Sequence, residues 1–220
     1  MSLFCFLWMP LFYLFWHSIS GREGENSGGI WALLLGSVVA IIQFLLGSFL
    51  TPGGFGLSRW VNACIDIVTL PALLPFGAYI LLSRLRRLQK IGASEYAHFA
   101  LLWLIPASAI RAVSWSAQKT PSLLVLTPLL WTAVAVGLPF FIDLLQRIRL
   151  IQRRGFFLLS IPVFLGMAAL PFLAATVYWA FFAQKTGLGF LLFFITLIPM
   201  GISLGKSFYR SCVNPQLFYD

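Results

Sequence analysis

The run GFFLLSIPVFLGMAALPFLAATVYWAFFAQ, residues 155–184, holds no charged side chain between Arg154 and Lys185. A helix needs about 20 mostly apolar residues to cross the hydrocarbon core of a bilayer. This run is long enough, and it is bounded by cations at both ends. Its two prolines, Pro162 and Pro171, would break a helix in water. In a membrane they are tolerated, because neighbouring helices and Ser/Thr side chains can supply the lost hydrogen bonds.

Similar runs recur on both sides of it. Spans are expected at 30–50, 60–82, 96–116, 123–145, 156–182 and 188–208, with a marginal one at 3–19. That marginal stretch, SLFCFLWMPLFYLFW, has no cation ahead of it and no A-x-A after it. It therefore reads as a retained helix or an interfacial segment, and not as a signal peptide. The expected fold is all-α: a polytopic transmembrane bundle of 6–7 helices in a single domain, residues 1–220.

Composition agrees. The chain is 60% hydrophobic and 10% charged over 220 residues, whereas soluble domains average about 25% charged. Fifteen Lys and Arg stand against six Asp and Glu. In a soluble protein that excess would suggest nucleic acid. Here it is explained by topology, and no nucleic-acid partner is expected. Arg84, Arg86, Arg87 and Lys90 fall in one loop, Arg147, Arg149, Arg153 and Arg154 in another, and Lys206 and Arg210 near the C-terminus. The alternate loops hold only Arg59, Arg111 with Lys119, and Lys185. The positive-inside rule puts the richer side in the cytoplasm, with the C-terminus, in a cell (inner or cytoplasmic) membrane. Trp31, Trp60, Trp115 and Trp179 fall near span ends, where indoles favour the headgroup level; Trp103 and Trp131 lie deeper and read as packing residues.

The two basic runs resemble each other. LLSRLRRLQK (81–90) matches LLQRIRLIQRR (144–154) at an offset of 63, with Arg87 against Leu150 as the departure. A parallel duplication of a two-helix hairpin, segments three–four and five–six, is one reading. In each run apolar residues keep helical spacing while the cations can snorkel to phosphates. Contact with a bilayer of anionic headgroups follows, at about 1 kcal/mol per cation near the surface. A membrane or cytoplasmic partner subunit is the other partner to consider.

Few groups could carry chemistry. Asp66 sits inside a span two turns after Arg59 and near Asn62; an intramembrane carboxylate needs a partner, and Arg111 in the next segment is expected at a similar depth. Asn62, Asp66, Arg111 and Arg59 thus form a candidate polar cluster, read first as an inter-helix clasp. Asp143 precedes Arg147 by four residues, the favourable order for a helical ion pair. Glu95 and His98 make one ExxH step, but six acidic residues in all cannot build a di-iron site. GISLGKS (201–207) fails the phosphate-loop pattern, which requires Gly where Met200 stands; Gly201 and Gly205 suit close helix packing instead. Gln43, Thr69, Thr132 and Thr196 should bond to backbone or to one another. Cys64 and Cys212 read as packing residues, and scattered Cys and His support neither a metal site nor a disulfide. No catalytic, cofactor-binding or metal residue is expected.

The leading functional expectation is a non-enzymatic transport-type or membrane-complex subunit. A stand-alone small-solute carrier, with Asp66, Asn62 and Arg111 on its route, is an alternative. So is a membrane-embedded lipid-acting enzyme using Asp66, Glu95, His98 or Asp143.

Overall fold

The computed structural model describes residues 2–20, 28–49, 57–85, 92–114, 121–151 and 156–213. All of the elements in them are helical: α1 (Ser2–Ser20), α2 (Gly28–Phe49), α3 (Leu57–Cys64), a π-helix (Ile65–Leu73), α4 (Leu74–Arg84), α5 (Ala93–Ser114), α6 (Pro121–Ile151), α7 (Phe156–Phe182) and α8 (Thr186–Val213). Four stretches are long and apolar enough to cross a membrane: Ile67–Arg84, Val125–Arg149, Leu158–Phe182 and Thr186–Val213. Gly28–Ile42 is a shorter apolar helix. α5 carries Ser94, Glu95, His98, Ser108 and Arg111, which dilute its apolar character.

α6 is the axis of the bundle. From Leu130 to Pro139 every residue is buried, as expected for a helix that is apolar on all sides and enclosed by others. α5, α7 and α8 pack along it, with α1 and the π-helix completing the ring; α2 lies outside against α5. Trp103 and Trp131 are core residues, as their depth in the sequence implies. The outer helices show the opposite pattern. Leu158, Leu165, Phe194 and Ile198 are more than half exposed. In water such a surface would drive association; in lipid it is the ordinary face of a membrane bundle.

The helical stretch from Leu57 to Arg84 is not a plain α-helix. Its middle is π-helical, and the N–H of Leu74 donates to the carbonyl of Thr69, five residues back. Pro71 and Pro75 explain this. In α register the carbonyl of Ile67 would wait for an N–H that Pro71 lacks. The wider turn brings the N–H of Ala72 into register with it.

The glycines show where helices come closest. A Cβ on Gly36 would lie 2.5 Å from the carbonyl oxygen of Trp103, so α2 meets the backbone of α5 directly. On Gly137 it would meet Leu170 at 2.8 Å. Gly201 and Gly205 differ: among the described residues nothing lies within 4 Å. The close packing expected of them is not made among the described residues. Cys212 also departs from expectation. It is exposed, because the last turns of α8 run beyond the packed bundle. Cys64 does pack against the core.

Candidate functional site

Helix direction gathers the polar chemistry at one end of the bundle. The C-terminal ends of α1, α6 and α8 and the N-terminal end of α5 meet there, through contacts between Ser20 and His98 and between Asp143 and Lys206. Arg84, Arg149 and Arg210 lie in the last turns of α4, α6 and α8, where a cation complements the partial negative charge of the helix end.

Asp143 is the hub. Its Oδ2 accepts from Arg147 Nε at 3.2 Å and from Lys206 Nζ at 2.8 Å. The first bond is the i,i+4 pair expected from the spacing. The second ties α6 to α8. The Lys206 ammonium also stands 5.2 Å from the ring centroid of Phe140, within cation–π range. Lys206 lies nearer to Asp143 and is less exposed than Arg147, so its bond is the stronger, and the exposed Arg147 adds little.

A second polar group lies beside it. His98, only 2% exposed, has Nδ1 3.0 Å from the Ser94 carbonyl and Nε2 3.1 Å from Ser20 Oγ. A carbonyl can only accept, so in neutral His98 the proton sits on Nδ1, and Nε2 accepts from the Ser20 hydroxyl. That hydroxyl also lies 2.8 Å from the Trp16 carbonyl. His17 packs edge-on to His98 at 5.7 Å and stacks on Tyr13. α1 is thereby clasped to the start of α5. Nearby, Tyr79 donates to the Gly92 carbonyl and accepts from the Gly92 N–H, which joins α4 to the entry of α5.

Between these groups opens a small cleft of about 40 Å³. Trp16 and Phe140 give it apolar walls. Ser94, Asp143, Ser203, Lys206, Ser207 and Arg210 give it polar ones. Ser203, Lys206 and Ser207 come from the GISLGKS stretch. The segment is helical, so no phosphate loop forms, yet its hydroxyls and ammonium share one opening.

The other expected residues fall as follows. Arg59 and Asn62 lie on α3, Asp66 at the start of the π-helix and Arg111 near the end of α5; their side chains lie outside the described residues. Arg86, Arg87, Lys90, Arg153 and Arg154 also lie outside them. Glu95 and His98 take different partners: the Glu95 carboxylate folds over Gly92, while His98 holds Ser20. Thr132 and Thr196 donate to carbonyls of their own helices, as expected. Among the described residues no group of three His, Cys, Asp or Glu could hold a metal ion. The sequence marked Lys206 only as a topology cation and did not single out Ser94 or Ser203. The only hint was the near-miss GISLGKS, and nothing local links it to Asp143.

No family model, no curated protein and no solved structure matches this chain.

Proposed function

We propose that the chain is a non-enzymatic subunit of a transport-type or other membrane complex, resident in the cell (inner or cytoplasmic) membrane and joined by a helix of another chain on the open face of α8. The observation that carries this reading is the contrast among glycines. Gly36 and Gly137 are pressed by neighbours, whereas Gly201 and Gly205, four residues apart, face open space. Small residues at that spacing let two membrane helices approach closely. Phe194, Ile198 and Ile202 extend the same side of α8 and are exposed. A different chain suits this face better than a second copy. Two copies side by side in one orientation would bring like-charged ends together, each bearing Arg84, Arg147, Arg149 and Arg210.

The test is extraction in mild detergent, with a photo-crosslinking residue placed on α8 next to Gly201. One defined membrane protein should be captured, and Gly201→Leu with Gly205→Leu should abolish its capture. Recovery of the chain alone, self-crosslinking, or capture indifferent to the two leucines would each overturn the reading.

The finer topology belongs to the same proposal: six or seven spans, the C-terminus in the cytoplasm and, with seven spans, the N-terminus outside. The cation distribution supports it, as does α1 lying antiparallel to α5. The hairpin duplication rests on the two basic runs; the π-helix interrupts the first copy, and α6 is continuous in the second. The Asn62, Asp66, Arg111 and Arg59 cluster, as a clasp or a solute route, rests on sequence spacing. One observation favours a ligand-binding alternative, such as a carrier or a lipid-acting enzyme: the polar cleft at the cation-rich end.

A further inference from the structure

We propose that the cleft between the start of α5 and the ends of α6 and α8 binds a terminal phosphate, either free inorganic phosphate or the phosphomonoester headgroup of a lipid such as phosphatidic acid. The reasoning begins with the hydroxyls. Within these helices a Ser or Thr typically donates to a carbonyl three or four residues back, as Ser37, Ser108, Thr176, Thr196 and Ser211 do. That is the usual way a membrane helix satisfies a hydroxyl. Ser203 does not, although the carbonyls of Pro199 and Met200 stand behind it. It is 6% exposed and its Oγ has no hydrogen-bond partner among the described residues. The Ser94 hydroxyl is likewise buried and unpartnered. Both line the same cleft. The indole N–H of Trp16 is a third such donor there, though the indoles of Trp8 and Trp103 are also unpartnered, so the serines discriminate better.

An unpaired buried hydroxyl is costly. Two at one opening give the cleft a pair of unpaired donors. Their company defines its chemistry. Lys206 and Arg210 stand one helical turn apart on α8, and Arg210 makes no ion pair among the described residues. Ala93 and Ser94 bring the first turn of α5, a 22-residue helix, whose leading N–H groups lack intrahelical partners. Two carboxylates oppose an anion: Asp143, already held by two cations, and Glu95, folded over Gly92. Donors still outnumber acceptors at the opening. A tetrahedral phosphate can take several donors at once, and the ammonium and guanidinium favour it over a neutral ligand. Neither serine gives up a bond on turning about χ1 into the cleft, since neither makes one. This inference does not depend on the α8 partner.

The experiment uses the full chain, purified in a neutral detergent, with tryptophan fluorescence and calorimetry as readouts. Inorganic phosphate is titrated first. The chain is then placed in phosphatidylcholine nanodiscs with and without phosphatidic acid, and with phosphatidylserine as a charge control. Saturable binding of inorganic phosphate supports a free-anion source. Saturable binding of phosphatidic acid above phosphatidylserine, without inorganic phosphate binding, supports a lipid source. In either arm Ser94→Ala with Ser203→Ala should weaken binding by at least about tenfold, from the loss of hydrogen bonds to a charged group. Arg210→Gln, at an exposed position, serves as a second variant should the serine pair misfold, and should also weaken binding. Ser211→Ala, whose hydroxyl donates to Phe208, should leave binding unchanged. Absence of binding in every arm overturns the proposal. So does binding unchanged in the serine and Arg210 variants, or binding of phosphatidylserine and phosphatidic acid alike, which would be surface attraction.

Discussion

Gly36→Ala should loosen the bundle, although alanine is the better helix former. The new Cβ would lie 2.5 Å from the Trp103 carbonyl oxygen and 3.0 Å from its Cα. Ordinary contact there is about 3.3 Å, and a backbone atom of a central helix has little room to yield. α2 must therefore retreat by roughly 0.8 Å along its contact with α5, and a gap of that size forfeits a quarter to a half of the dispersion energy across it. Ala32 and Ala40, both buried, lie on the contact that would open. Overpacking costs about 1–3 kcal/mol, and the gain in helix propensity returns up to about 1 kcal/mol. A net loss of roughly 1–2 kcal/mol is expected. Gly201→Ala and Gly205→Ala make the opposite case: nothing lies within 4 Å, so propensity acts alone and stability should hold or rise. Unfolding in mixed micelles, followed by circular dichroism, measures all three variants. A Gly36→Ala protein as stable as the parent would refute the close approach of α2 to α5. An equal loss at Gly201 would refute the open face.

Three further outcomes are expected. Asp143→Asn should cost about 1–3 kcal/mol, because it breaks the bonds to Lys206, whereas Arg147→Ala should cost no more than about 0.5 kcal/mol; a double-mutant cycle with Lys206→Gln checks where the coupling lies. Tyr79→Phe removes the hydroxyl that serves both polar groups of Gly92 and should cost about 1–2 kcal/mol, with faster amide exchange at Gly92 as the local readout. Cys212, exposed near the end of α8, should react with a membrane-impermeant thiol reagent only once the cytoplasmic face is opened. A cysteine at Lys185 should react from the outside, and the reverse pattern would invert the topology.

Much of the architecture was legible along the chain because its causes are local. Hydropathy is a sum over neighbouring residues, so the helical membrane class and most helix positions followed from runs such as 155–184. The Asp143–Arg147 pair followed from i,i+4 geometry, and the back-bonding of Thr132 and Thr196 from the reach of a hydroxyl to its own helix. Tertiary structure decided what depends on which helix stands next to which. Lys206 reaches Asp143 only because α8 packs on α6. Gly36 is crowded and Gly201 open because one faces α5 and the other faces none of the described helices, though both read in sequence as small residues in an apolar run. Cys212 is exposed because α8 outlasts the bundle. Ser94 and Ser203, ordinary in sequence, share one cleft because three helix ends converge there, and no local pattern of hydropathy or spacing encodes that meeting.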